Sequence, residues 1–226
     1  MPSARLYVDG FNLYRRCLSG KDHLKWLDLV ALAARLLPDH RIDHVHYFTA
    51  HLRPGILVDP HSPVRQQIYL RALSTHPRVS IHLGTFRNDR RVMPLHPQVI
   101  DEATGRWRTV TVRKLEEKGS DVNLGTRMTA DAFSGKADLY VMLSNDSDLA
   151  GTLRMLKNEF AFRIGIIFPM PTSRSSKELV KIEPAVVAHI TDEALRACRL
   201  PERLRDSRGE FFCPNKWGEI PKAPVS

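Results

Sequence analysis

A near-continuous apolar run, Leu139 to Leu143, stops abruptly at Ser144-Asn145-Asp146-Ser147-Asp148, after which Leu149, Leu153, Leu156 and Phe160 recur at helical spacing. That pattern predicts a buried strand, a short polar turn and a helix. Near the start, Arg5-Leu6-Tyr7-Val8 runs into Asp9-Gly10-Phe11-Asn12, and Leu13, Cys17 and Leu18 follow at helical spacing. An Asp-Gly turn suits a hairpin, but the helical continuation favours strand-turn-helix. Trp26 to Leu37 reads as a helix stopped by Pro38, and Ile42 to Thr49 as a β-branched and aromatic strand. A helix over Asp59 to Leu73, entered through Ser62-Pro63, precedes an alternating strand from Val79 to Phe86. A further helix opens at Ser120-Asp121 and runs to Phe133, with Gly135 as its stop and Arg127 paired to Asp131 on its surface. Phe162 to Phe168 predicts the last long strand, Ser173 to Ser176 the opening of a helix, and Val186 to Ile190 a short further element. Strands alternating with helices imply an α/β fold with a largely parallel sheet covered by helices on both faces, a three-layer α/β/α arrangement.

Chemistry enters where the strands end. Asp9 and Asp146 both fall at a predicted strand's carboxyl end, where open α/β sheets bind ligands. A helix N-cap explains one such acid. It does not explain a close pair beside Ser144 and Asn145. Residues 87 to 114 differ in character: Arg87, Arg90, Arg91, Arg106, Arg108, Arg113 and Lys114 crowd among prolines, with Trp107 between two arginines. Such a run is either a solvated face or a surface for single strands, through phosphate contacts and stacking. His40, His44 and His46 lack a cysteine or carboxylate at ligand spacing and read as structural or surface residues.

The 34 Lys and Arg against 25 Asp and Glu give a net charge of +9, which points to a polyanionic partner. The three cysteines form no Cys-x-x-Cys pair, and neither a membrane span nor a signal peptide is evident, so a cytoplasmic protein without membrane association is expected. Residues 1–200 read as one domain with the basic insert at about 87–114, and residues 201–226 as a C-terminal arm docked on it. A homodimer is compatible with the sequence.

Three segments occur in order: Val8-Asp9-Gly10-Phe11-Asn12-Leu13, Glu117-Lys118-Gly119-Ser120-Asp121-Val122 and Leu143-Ser144-Asn145-Asp146-Ser147-Asp148. Together they resemble the motifs of the NYN domain family, relatives of the PIN-like nucleases. Gly209 and Pro214-x-x-Trp217 are similar to a bacterial branch of that family. The resemblance implies a PIN-like, Rossmann-like sheet and a metal-dependent endoribonuclease acting on single-stranded or structured RNA. It implies Asp9, Asp121, Asp146 and Asp148 as catalytic metal ligands. Arg127 stands where many relatives carry a further acid, which leaves one or two metals open.

Carboxylates converging in one crevice repel unless protonated or neutralised by a cation, and hard oxygen ligands suit Mg²⁺ or Mn²⁺. Such a metal would activate water and stabilise charge on a phosphate. Asn12, Asn145, Ser144 and Lys118 would then orient the substrate, with Arg127, Arg106 and Arg108 as phosphate contacts. Two other classes stay open. One is a non-catalytic nucleic-acid-binding module. The other is a small-molecule enzyme on the same sheet, a phosphohydrolase or an oxidoreductase, although no Gly-x-Gly-x-x-Gly follows the first strand.

Overall fold

The structure, a computed structural model, describes residues 1–52 and 59–218. Seven strands, β1 (Ser3–Asp9), β2 (Arg41–Ala50), β3 (Val79–Pro94), β4 (Thr109–Lys118), β5 (Leu139–Leu143), β6 (Ile164–Phe168) and β7 (Val186–His189), form one sheet in the order β4-β3-β2-β1-β5-β6-β7. Every neighbouring pair is parallel except β3 with β4. Helices cover both faces, so β5 and β6 are apolar and buried at every position rather than alternating. The three-layer α/β/α expectation therefore holds.

Two cores lie on the two faces of the sheet. On one, α2 (Leu29–Leu36), α3 (Ser62–Ser74) and α7 (Asp192–Ala197) pack with Trp26, Val45, Tyr47 and Tyr69. On the other, α4 (Ser120–Phe133), α5 (Ala150–Arg154) and α6 (Lys177–Val180) pack with Tyr7, Phe48, Met142 and Phe168. The period of two along β2 explains the split, because Val45 and Tyr47 point to one face and Phe48 to the other. The chain steps outward from β1 through β2 to β3, then returns past β1 to β5. Its direction reverses between β1 and β5. The crevice at their carboxyl ends is thus a topological switch point.

Several boundaries differ from the sequence reading, each for a local reason. The helix expected from Trp26 begins at Leu29, because the Asp28 carboxylate accepts from the N–H groups of Val30 and Ala31 at 2.9 Å each. Trp26 is freed to donate Nε1–H to the Pro201 carbonyl at 2.9 Å. The insert at 87–114 ends in a strand, as the Thr109-Val110-Thr111-Val112 run suggests, and residues 95–108 form its tip. It is the outer part of a long antiparallel ribbon, with Arg87 opposite Glu116 and Pro94 opposite Thr109.

The Arg127–Asp131 pair is present at 3.8 Å, but Asp131 is buried rather than on the surface. It accepts from Tyr7 Oη at 2.9 Å and Arg5 Nη1 at 3.1 Å, which seats α4 on β1. His46 Nε2 lies 3.0 Å from the same carboxylate, too poorly aligned for a hydrogen bond, and its Nδ1 lies 2.9 Å from His82 Nε2. Burial pushes the His46 imidazole down to about 3, so the ring is neutral at physiological pH. His46 and His82 thus pack against each other beside the Asp131 carboxylate.

After α7, β8 (Arg203–Asp206) and β9 (Gly209–Phe212) form a hairpin that packs on α3. Arg71 of α3 makes a two-pronged pair with Asp206, at 2.8 and 2.6 Å, and stacks over Phe211 at 4.0 Å. Lys216 Nζ reaches Asp59 at 2.7 Å, and Trp217 meets Tyr69 edge to face. Residues 219–226 of the expected arm lie outside the described residues. Among the described residues no helix is long and apolar enough to cross a membrane.

Candidate active site

Asp9 ends β1 and caps α1 (Gly10–Leu13), accepting from the Asn12 N–H at 2.9 Å. Its other oxygen accepts from Ser144 Oγ at 2.8 Å, and Ser144 Oγ in turn accepts from the Asp146 N–H at 3.0 Å. The Asn145 N–H donates to Asn12 Oδ1 at 3.2 Å, tying the two strand ends together. Asn145 Oδ1 accepts from the Ser176 N–H at 2.7 Å. Asp121 arrives from the first turn of α4, on the far side of β1 from Asp146. Carboxylate oxygens of Asp9, Asp121 and Asp146 lie within 4.8 Å of one another.

Burial raises the Asp9 pKa, against the hydrogen bonds of Asn12 and Ser144 and with a contribution from Asp146. Asp121 rises to about 6, through burial first and then the charges of Asp9 and Asp146. Such a cluster takes up protons or a cation. The donor set is all hard oxygen, which fits a divalent ion such as Mg²⁺ or Mn²⁺. It does not fit a pyrophosphate at the amino end of α1, where the same carboxylates repel it.

The other sequence-selected residues are distributed unevenly. Asn12, Lys118 and Asn145 line the acidic cleft with Arg15, Arg16, Glu116 and Glu117, around a volume of about 720 Å³. Ser144 is buried and spends its hydroxyl on Asp9, so it positions a carboxylate and touches no substrate. Asp148 is outside the converging group; it is exposed in the turn after Asp146 and gives its backbone N–H to that residue. Arg127 is engaged with Asp131 two turns down α4 and does not line the cleft. Arg106 and Arg108 precede β4 at the ribbon's outer end. Arg108 is ten residues from Lys118, about 34 Å along the strand at roughly 3.4 Å per residue. Arg106 and Arg108, expected as phosphate contacts beside the acids, therefore do not line the cleft.

Beside the cleft is a second cavity of about 300 Å³, which sequence reasoning missed. Phe11, Tyr14, Tyr47, Tyr69, Phe86 and Trp217 line it, with Arg15, Lys25 and Arg65. Phe11, Arg15 and Glu117 line both spaces, so the two adjoin. Phe11 and Phe86 meet edge to face at 5.4 Å, and Tyr47 and Tyr69 at 6.3 Å. Gly10 permits this arrangement, because a Cβ there would stand 2.7 Å from both the Phe48 carbonyl and the Tyr47 ring. The aromatic residues come from several separate elements at no fixed spacing. The one legible signal was the alternation that turns Tyr47 away from His46 and Phe48.

Compared with known proteins, the chain is 31% identical over 234 residues to 6-hydroxy-3-succinoylpyridine 3-monooxygenase of Pseudomonas putida, covering 94% of this chain and 74% of that protein. The chain belongs to this monooxygenase's family. A Vibrio parahaemolyticus protein of unknown function has a similar crystal structure, with a TM-score of 0.52, 14% identity, and coverage of 85% of this chain and 94% of that one. This second likeness concerns the fold alone. No family model matches the chain. Membership of the monooxygenase's family overturns the endoribonuclease expectation, which rested on three short motifs, whereas the relationship spans nearly the whole chain. An enzyme remains the right class, and of the alternatives the small-molecule oxidoreductase is the one favoured.

Proposed function

We propose that this protein is an oxidoreductase that inserts one oxygen atom into a small organic substrate at the junction of the aromatic cavity and the acidic cleft. The observation that carries the reading is the 31% identity, over 94% of the chain, to an enzyme named as a monooxygenase. The adjoining spaces support it: a cavity of about 300 Å³ is at the lower end of small-molecule pockets. The relative's name describes a hydroxylated pyridine with a succinoyl group, and aromatic walls with nearby cations suit that kind of compound.

The balance of such a reaction is fixed. At a carbon bearing hydrogen, the C–H bond, dioxygen, two electrons and two protons give C–OH and water. At a substituted ring carbon the same inputs give C–OH, with the substituent leaving as its oxidised fragment, the hydroxide adduct of its cation equivalent, in place of water. The electrons come from a diffusible donor of the reduced nicotinamide class. The charge at α1 disfavours a resident dinucleotide there, so the donor need only visit. Asp9, Asp121 and Asp146 would hold a divalent cation, whose chemistry when bound is Lewis-acid polarisation of an oxygen. Ser144 and Asn12 fix the Asp9 carboxylate, while Phe11 and Glu117 line the junction of the two spaces. The aromatic walls exclude water from the reacting ring.

The test is oxygen consumption by the purified protein with Mg²⁺ or Mn²⁺, reduced nicotinamide, added flavin and a panel of aromatic acids, under ¹⁸O₂. Product carrying one ¹⁸O atom per dioxygen consumed is the expected result. Folded protein that consumes no oxygen above background with any donor and acid sinks the reading.

A further inference from the structure

Under the oxidoreductase reading, on which this inference rests, the electron donor must dock away from the acids that crowd the amino end of α1. We propose that a reduced nicotinamide dinucleotide docks on one face of the β3–β4 ribbon, its diphosphate held between Arg90 and Arg113 and its nicotinamide end at Phe86, on the rim of the aromatic cavity.

The two faces of the ribbon differ in how their charges are matched. Residues directly opposite on antiparallel strands share a face, and the faces alternate along each strand. One face carries Arg87 with Glu116, Asp89 with Lys114 and Arg91 with Val112. Its acids are taken: Asp89 pairs with Arg91 at 3.4 Å, and Glu116 pairs with Lys114 and, at 3.5 Å, with Lys118.

The other face carries Phe86 with Glu117 and, farther out, Arg90 with Arg113. Both arginines are exposed, and neither has an ion-pair or hydrogen-bond partner among the described residues. Like charges directly opposite destabilise a ribbon. Glu117, the acid on that face, is engaged by Ser120 and does not offset them. Two adjacent guanidiniums fit a diphosphate, whose linked anionic groups each take paired N–H donors. A longer polyanion would draw equally on Arg87, Arg91 and Lys114 of the first face, whose charge Asp89 and Glu116 already offset.

Position selects the rest of the ligand. Asp9, Asp121 and Asp146 repel a diphosphate from the cleft, so the ribbon holds it at a distance. Phe86 shares the face of Arg90 and lines the aromatic cavity, where it meets Phe11 edge to face at 5.4 Å. Arg90 is four residues farther out, about 14 Å at roughly 3.4 Å per residue. A ribose and the inward reach of two arginine side chains bridge that span, which leaves the nicotinamide ring against Phe86. The adenosine end then runs outward to the next pair on the same face, Val92 with Thr111, where Val92 is 68% exposed and offers the base an apolar surface.

Calorimetric binding of ADP-ribose, which carries the diphosphate without the nicotinamide ring, tests this in chelator-treated buffer and without turnover. Arg90→Gln and Arg113→Gln should each weaken binding by about tenfold or more. Arg91→Gln, which removes the same charge from the other face, should leave it unchanged. No binding at millimolar ADP-ribose, an equal loss in all three variants, or displacement of ADP-ribose by a short oligothymidylate that binds more tightly would each overturn the inference. Oxygen uptake is scored separately with two donors, the reduced dinucleotide and N-benzyl-1,4-dihydronicotinamide, which has no phosphate. The Arg90 and Arg113 variants should raise the KM for the dinucleotide and leave uptake with the benzyl donor unchanged. ADP-ribose bound as described by a protein that consumes no oxygen with either donor keeps the ribbon site and removes the oxidoreductase reading. Uptake whose dinucleotide KM is unmoved in both variants keeps that reading and removes the ribbon site.

Discussion

Asp121 shows how one residue ties the site to the stability of the molecule. Its carboxyl, raised to about 6 by burial and by Asp9 and Asp146, keeps a proton in the folded state that the unfolded chain releases nearer pH 4. Between those values the folded state binds more protons, so this group's contribution to stability falls as pH rises through the window. Asp121→Asn removes that penalty. In chelator-treated buffer at pH 7.5 the variant should be more stable than the parent by on the order of 1 kcal/mol, the full shift being discounted for partial exposure. The difference should vanish below about pH 4. Added Mn²⁺ should raise the thermal midpoint of the parent and leave the variant unmoved. A variant no more stable at pH 7.5, or one equally stabilised by Mn²⁺, would show that Asp121 is not part of a shared charge cluster. The three acids were legible in sequence because each ends a strand or opens a helix. Asp148 was not separable from them, since only the turn geometry decides which of two nearby carboxylates faces inward.

Among the elements, the β3–β4 ribbon divides into two parts with different duties. Its base supplies Phe86 to the aromatic cavity and Glu117 and Lys118 to the cleft. Glu117 also accepts from the Ser120 N–H at 3.1 Å and from Ser120 Oγ at 2.8 Å, capping α4 and so helping to aim Asp121. The outer part, from Arg87 to Lys114, contributes no buried hydrophobic side chain. Replacing residues 89–114 with Asn-Gly, which closes the hairpin at the Asn88–Leu115 pair, should change the unfolding free energy by less than about 1 kcal/mol. Divalent-cation binding should also be retained. Loss of cooperative unfolding, measured by calorimetry, would mean that the outer ribbon supports the core. The sequence marked this segment by its charge, yet its distance from the cleft follows from strand length and pairing alone. Composition cannot report either one.

For the whole molecule, the C-terminal segment completes a cavity that the sheet begins. Phe211 and Trp217 are buried, and Trp217 closes the aromatic wall against Tyr69 of α3. A chain ending at Leu200 exposes Tyr69 and loses both aromatic groups along with the Arg71–Asp206 pair. Its stability should drop by at least about 3–5 kcal/mol, the loss expected for one large buried aromatic side chain. Binding of a small organic substrate in the aromatic cavity should disappear with it. Urea denaturation decides the first point, and an unchanged midpoint would show that the segment is an accessory. Trp217→Ala in the full chain separates the two effects, since it opens the cavity while the hairpin stays.

The sequence by itself determined the layered α/β architecture, because apolar periodicity and strand-ending acids are local properties of the chain. It also placed Asp9 and Asp146 at one end of the sheet, since parallel strands joined by right-handed crossovers leave few other places for them, whereas Asp121 reaches them through the antiparallel return of β4, which the chain's pattern does not record. Only the tertiary structure decided that Tyr47, Tyr69, Phe86 and Trp217 share a cavity beside those acids. They come from separate elements, and nothing in their spacing along the chain records a meeting that depends on sheet order, strand alternation and the docking of the final hairpin. The same reason explains the functional correction: three motifs fix where charge gathers, whereas the neighbouring cavity bears on which molecule meets it.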